Sequence, residues 1–508
     1  MPQPPANPQT QRLAALDHAH VWHPFTPMRQ WREKAPLIVE RGEGPYLFDT
    51  EGRRYIDGVS SLWCNVHGHA VPAIDDAIRE QLGRIAHTTL LGLASPPSIE
   101  LAQRLVGLVS GKLGLVSGDK PTTHDETTPE SPPHRPLTKV FYTDAGATAV
   151  EAAFKMAVGY WHHEGQPQKQ RFIGLRGAYH GDTVGAMSVG YSDLFHRAFK
   201  SMVFPVDWFD APDALRPPAG FEPVGRGSDS AGCWPSQDDS LNNALGDHCL
   251  NQLEKRLEQQ ADQTAAVVLE PVVQGAAGMV CQPPGFVGRV AALARRYNVL
   301  FIADEVAVGF GRTGRVFACE HDRAAPDILC LAKGLTAGYL PLAVTMTTDA
   351  VYEAFTGELS ERKALYHGHT YTGNPLACAA ALAGLDLFEQ PTHGSPDLVG
   401  HIQAMAALMR EKLEPLRACL HVRDVRQRGM MVGIELGENP MLAGACKPAE
   451  PFDFSAPIGH AICDKLRGRG VIIRPLGNIV VLMPICATPP DVLAELVEKT
   501  VDAIIAHV

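Results

Sequence analysis

Five short, nearly unbroken aliphatic runs restrict what this chain can fold into more than any other feature. They are Lys139–Thr143, Arg171–Leu175, Ala265–Leu269, Val299–Ala303 and Asp327–Leu331. Apolar runs of this length, bounded by turn signals, suit strands covered on both faces. They alternate with helical spacing, as at Val150, Ala153, Phe154, Ala157 and Val158. That alternation predicts βα units around a parallel sheet, and hence an α/β fold. A chain of 508 residues has room for two to four domains, or for one large α/β unit with a smaller one appended. Two polar, Pro-rich stretches, Lys120–Pro136 (near 115–137) and Ala211–Gly246, lack periodicity and read as loop insertions.

Composition excludes several function classes. A formal charge of −11 argues against a general nucleic-acid binder. No apolar stretch reaches the ~18 residues of a membrane span. The segment from Leu376 to Leu387 is short and contains Asp386. Residues Met1–Arg12 carry no apolar core of a secretory signal. The 11 cysteines are scattered, with no C-x-x-C pair, as expected of a reducing compartment. A cytoplasmic enzyme is the expectation.

In a parallel sheet the carboxyl ends of the strands face one crevice, where ligands bind. Here the first run leads into Asp144-Ala-Gly146-Ala147-Thr148 and a helix. The second leads into Tyr179-His180-Gly-Asp182, the third into Glu270, the fourth into Asp304-Glu305 and the fifth into Lys333. A pyridoxal 5′-phosphate site has matching needs. The aldehyde requires a lysine amine to form a Schiff base, and partial desolvation of Lys333 favours its neutral form. A carboxylate, Asp304, keeps the pyridine nitrogen protonated. The phosphate wants backbone N–H groups at a helix start, which Gly146 and Ala147 supply. Tyr179 is placed to stack on the ring.

Two rival motifs are weaker. Gly309-Phe-Gly311-Arg-Thr-Gly314 fits G-x-G-x-x-G, but Arg315–Glu320 after it has no helical periodicity, which argues against dinucleotide binding. His67-Gly-His69 and His367-Gly-His369 are bounded by glycines and lack a matching carboxylate or cysteine, so no metal is expected.

Asp304-Glu-Val-Ala-Val-Gly-Phe-Gly-Arg312-Thr-Gly, followed by a strand ending in Lys333-Gly, resembles the signature of the class III, fold-type I, pyridoxal-phosphate aminotransferases. The likeness runs from about His20 to the C-terminal helix and leaves out the two insertions. Several segments are similar to the branch of that family that converts 8-amino-7-oxononanoate to 7,8-diaminononanoate in biotin synthesis. They are Trp22-His-Pro-Phe25-Thr, Ser60-Ser-Leu-Trp63, Gly177-Ala-Tyr179-His-Gly-Asp182-Thr, Glu270-Pro-Val-Val-Gln-Gly, His367-Gly-His-Thr370 and Ile473-Arg474-Pro.

The resemblance implies a large cofactor domain at 60–390 and a small α/β domain formed by 1–59 and 391–508. It implies Lys333 as the lysine that binds cofactor and moves the proton, with Asp304 and Tyr179 beside it. Gly146, Ala147, Tyr179, His180, Glu270 and Thr370 would hold the cofactor, Thr370 from the partner subunit of a homodimer. Phe25, Trp63, Tyr179, Lys333, Gly368 and Arg474 would contact substrate, the guanidinium gripping a carboxylate with paired hydrogen bonds. Glu270 and Arg312 would belong to the polar framework. The donor implied is S-adenosylmethionine, the family default, or lysine. The branch using S-adenosylmethionine shows a tyrosine at the place of Phe25, a Trp pair at Leu62-Trp63 and a tyrosine near Val481, whereas Asn65-Val-His-Gly-His69 and His369 resemble a lysine-using branch. Another ω-aminotransferase acting on a different amine, and a non-enzymatic binding protein, are the alternatives.

Overall fold

The computed structural model describes residues 7–113, 136–222, 234–437 and 457–507. After the helices Pro8–His20 and Met28–Arg32 come three strands: β1 (Val39–Glu43), β2 (Tyr46–Asp49) and β3 (Arg54–Asp57). The main sheet comes next, with β4 (Leu137–Thr143), β5 (Arg171–Leu175), β6 (Asp207–Phe209) and β7 (Thr264–Leu269). A two-stranded hairpin, β8 (Val273–Gln274) and β9 (Val280–Cys281), precedes β10 (Leu300–Asp304), β11 (Ile328–Leu331) and β12 (Ala343–Thr348). The main sheet runs β4-β12-β11-β10-β7-β5-β6. Only β12 is antiparallel to its neighbours.

Side-chain alternation explains the layers. Phe301 and Ala303 of β10 join one buried cluster, and Leu300 and Ile302 join the other. In β7, Val267 and Leu269 face the first, Ala266 and Val268 the second. A strand whose two faces are both buried reads as a continuous apolar run, as the sequence shows. The helix Gly146–His163 covers the second face with Ala149, Val150, Ala153, Phe154 and Ala157. The five expected strands are present, and β6 and β12 extend the sheet at places the aliphatic pattern did not mark.

The second expected insertion is corrected in part. Residues 211–222 lack regular structure, but the helix Asp239–Gln260 occupies the end of the stretch. Asp238 caps it by accepting from the Leu241 amide at 3.0 Å. Leu245, Cys249, Leu250, Leu253 and Leu257 bury one stripe of it, most of which lies past Gly246. Of the first insertion, 115–135 lie outside the described residues, and Leu137 already belongs to β4.

The last strands are β13 (Val422–Arg428), β14 (Met431–Leu436), β15 (Val471–Ile472), β16 (Arg474–Leu476) and β17 (Ile479–Leu482), followed by the helix Pro490–Ile505. β15 pairs parallel with β3, so the opening strands share a sheet with the end of the chain. The other four form an antiparallel sheet in the order β13-β14-β17-β16. Among the described residues no helix is long and apolar enough to cross a membrane.

Candidate active site

Because β4, β5, β7, β10 and β11 run parallel, the segments leaving their carboxyl ends emerge at one edge of the sheet. There a cavity of about 780 Å³ is lined by Gly146 and Ala147 after β4, Tyr179 and His180 after β5, Glu270 after β7, Asp304 closing β10 and Lys333 after β11. Trp63 closes one wall. The structure thus brings eight of the expected site residues into one space.

The charged groups are held by specific partners. Asp304 Oδ1 accepts from the Val306 amide at 2.9 Å. Its Oδ2 takes a 2.7 Å hydrogen bond from His180 Nδ1. Burial alone would pull the His180 pKa down, but the bond to Asp304 and its charge overcome this and raise it. His180 Nε2, fully buried, has no hydrogen-bond partner among the described residues. Glu270 accepts from the Tyr179 amide at 3.0 Å and the Gly275 amide at 3.1 Å. Burial pushes its pKa up to about 7, with the nearby Asp304 adding to the rise and His180 opposing it. The Tyr179 hydroxyl donates to Asp182 at 2.8 Å, and burial with that carboxylate keeps the phenol protonated.

Lys333 opens a short 3₁₀ turn and holds a left-handed φ of 47°, a conformation that costs energy for any residue with a Cβ. Burial pulls its ammonium pKa down, against the raising influence of Asp304 and Glu270. Its Nζ lies 5.4 Å from the Trp63 ring centroid.

At the other end of the cavity the helix Gly146–His163 begins. The first amides of an α-helix have no partner inside it and carry the positive end of its dipole. Gly146 is there for space: a Cβ would stand 2.5 Å from Val306 Cγ1.

The second carboxylate of the Asp304-Glu305 pair turns away. Glu305 accepts from the Ala318 and Cys319 amides at 2.6 and 2.8 Å. The Gly309–Gly314 run does not open a long helix, and Arg312 inside it is buried, donating to Pro484 O, Ser60 Oγ and Asn65 O. The paired histidines have other partners. His67 Nε2 meets Gly384 O at 2.8 Å, His69 Nε2 meets Asp57 at 3.0 Å, and His367 Nδ1 meets Lys155 at 3.1 Å.

Four expected residues lie outside the lining of this chain's cavity. Phe25 is 60% exposed, and Gly368, Thr370 and Arg474 are exposed as well. Conversely Cys64, Thr336 and the Gly338–Leu342 segment line the cavity without having been expected there. That segment comes after Lys333 with no regular spacing, so no periodic signal marked it.

A mostly parallel sheet whose strand ends bring together a lysine, a carboxylate with its histidine, an aromatic side chain and an open helix start is the arrangement of a fold-type I enzyme dependent on pyridoxal 5′-phosphate. The sequence matches the family described as Aminotransferase class-III over residues 28–504. The chain belongs to the class III aminotransferases, which depend on pyridoxal phosphate. It is 44% identical over 498 residues to an adenosylmethionine-8-amino-7-oxononanoate aminotransferase of Geobacter sulfurreducens, covering 97% of this chain and 98% of that one. Among solved structures, the protein of that name from Methanocaldococcus jannaschii superposes with a TM-score of 0.81 at 40% identity, covering 97% of this chain and 98% of the other. A PLP-bound amine transaminase from an uncultivated Pseudomonas species gives a TM-score of 0.81 at 33% identity, covering 96% and 98%.

The donor set fits the cofactor. It offers an amine of depressed pKa, a carboxylate held by two hydrogen bonds, helix amides for a phosphate, and a buried histidine nitrogen still lacking a partner.

Proposed function

We propose that this transaminase transfers an amino group to 8-amino-7-oxononanoate, giving 7,8-diaminononanoate for biotin synthesis. The observation that carries the reading is near-complete coverage at 44% identity to a relative named for this acceptor, in a chain whose own cavity gathers the residues the chemistry needs. The bound cofactor supplies the aldehyde and the electron sink. Lys333 would bind it and move the substrate's proton with its amine, whose pKa burial pulls down. Asp304, oriented by His180 and the Val306 amide, would pair with the ring nitrogen. Gly146 and Ala147 would hold the phosphate, and Tyr179 would stack on the ring. Trp63 forms the near wall for substrate, with Phe25, Gly368 and Arg474 completing the substrate contacts, the arginine gripping the acceptor's carboxylate.

The protein works as a homodimer in the cytoplasm, with Thr370 of the partner subunit closing the phosphate site. Supporting the dimer, Leu91, Leu359 and Tyr366 are 89%, 91% and 71% exposed on the single chain, a burden of apolar surface that a partner would cover. Buried thiols such as Cys249 and Cys378 suit a reducing compartment. Residues 60–390 form the large domain, and 1–59 with 391–508 the small one, a division supported by the sheet that joins β3 to β15.

The test is direct. The purified holoenzyme is mixed with 8-amino-7-oxononanoate and either S-adenosylmethionine or lysine, and 7,8-diaminononanoate is measured. Product with one donor identifies it; no product with either refutes the acceptor. The likeness to an amine transaminase at 33% identity favours a second reading, an ω-aminotransferase of other amines, which would instead convert simple primary amines and leave this acceptor untouched.

A further inference from the structure

Four consecutive residues with side chains, Ser60, Ser61, Leu62 and Trp63, hold φ values of 45°, 55°, 95° and 68°. Crowding between Cβ and the carbonyl disfavours each of these, so a run of four must be imposed by its surroundings. The segment closes on itself: the Trp63 amide donates to Val59 O at 2.7 Å, and the Cys64 and Asn65 amides both donate to Ser60 O at 3.1 Å. It ends at the wall of the cavity, where the Trp63 ring faces Lys333.

Asp57 stands at the end of β3, 1% exposed and outside the cavity lining. Its Oδ1 accepts from the Ser61 amide at 3.0 Å and its Oδ2 from the Ser61 hydroxyl at 2.8 Å. Both donors belong to one residue, so the carboxylate grips one backbone conformation of it. His69 Nε2 lies 3.0 Å from the same Oδ2, and its Nδ1 lies 3.2 Å from Asn65 Nδ2. With Nε2 donating to the carboxylate, Nδ1 accepts from the amide of Asn65. A chain of three side chains, Asp57, His69 and Asn65, therefore links Ser61 in the left-handed segment to Asn65 just beyond it.

We propose that Asp57 is a positioning residue for transamination: it fixes the left-handed segment Ser60–Trp63 and so sets where the Trp63 indole stands against Lys333 and the substrate. The rate readout rests on the transaminase reading, whereas the spectroscopic one needs only bound cofactor.

The test uses the full-length holoenzyme carrying Asp57→Asn, alone and together with Leu62→Gly, with Leu62→Gly as reference. Asp57→Asn is expected to lower kcat/KM about tenfold, or 1.4 kcal/mol. It should also change the transfer of tryptophan emission to the cofactor, measured as the difference from the matching Trp63→Phe protein. Glycine adopts positive φ freely, so in the Leu62→Gly background the loss caused by Asp57→Asn should shrink about threefold. A role in packing alone would leave that loss the same in both backgrounds. If Asp57→Asn does not fold, Ser61→Ala, on an exposed residue, takes its place with the same expected signs. Unchanged kcat/KM and unchanged emission transfer would overturn the proposal, as would a loss that glycine at 62 does not lessen. An inactive wild-type enzyme with normal emission transfer would count against the transaminase substrate instead.

Discussion

Lys333 and Glu270 share a cavity but burial acts on them in opposite senses. For the lysine, burial disfavours the cation and pulls the pKa down, toward the neutral amine that the proposed chemistry needs. Lys333→Ala is therefore expected to cut turnover more than about a thousandfold while far-UV circular dichroism stays unchanged. Retention of substantial turnover would move the reaction to another group. For Glu270 burial disfavours the anion, and its pKa sits at about 7 against an ordinary 4.5. The folded chain then holds a proton that the unfolded chain releases once the pH exceeds 4.5. Stability from this residue is thus greatest at or below the unfolded pKa and is lost as the pH rises from there to about 7. Glu270→Gln leaves one of two amide donors poorly matched, so it is less stable throughout. The gap to wild type should narrow between about pH 5 and pH 7.5 by up to about 1.4 kcal/mol per unit. Urea denaturation at several pH values measures this, and a gap that widens with pH would reverse the assignment.

At the scale of elements, the site depends on how closely a helix start can approach a strand end. Gly146 opens its helix 2.5 Å, at the Cβ position, from Val306 Cγ1, two residues beyond Asp304. Gly146→Ala is expected to push the helix start away from the strand end and to weaken cofactor binding about tenfold, read by titrating apoenzyme with pyridoxal phosphate. Val306→Ala added to it should recover most of the loss; no recovery would mean that the glycine serves something other than this approach. These elements were also the legible ones. A strand buried on both faces announces itself as an aliphatic run, and its last residues announce the crevice, so Asp304, Lys333, Glu270 and Tyr179 could be placed together from the sequence. The antiparallel β12, Ala-Val-Thr-Met-Thr-Thr, alternates threonine with apolar residues although every position is buried, so composition hid it. The helix after Asp238 was hidden by the polar residues before its apolar stripe. Asp57 was illegible for a different reason. Its importance lies in a backbone conformation, four successive positive φ values, that no side-chain pattern in Ser60-Ser-Leu-Trp63 encodes.

For the whole molecule, the question is whether one chain contains a complete site. The helix-start end of the cavity, where the phosphate is proposed to sit, has Gly146 and Ala147 from its own chain, whereas Thr370 is exposed and outside the lining. If Thr370 of the partner subunit completes each site, damage to Lys333 and damage to Thr370 fall on different chains of the same site. A chain with Lys333→Ala and a chain with Thr370→Asp should each be inactive as homodimers, the second because a carboxylate beside the phosphate repels it. Unfolded together and refolded, half of the dimers are mixed. In a mixed dimer the intact Lys333 shares a site with the intact Thr370, and the other site carries both lesions. One site in two is then restored in half of the molecules, so about a quarter of wild-type activity should return for this isologous arrangement. If Thr370 serves its own chain, every site in the mixture carries one lesion and refolding restores nothing. Activity after co-refolding, set against each variant refolded alone, separates the two arrangements.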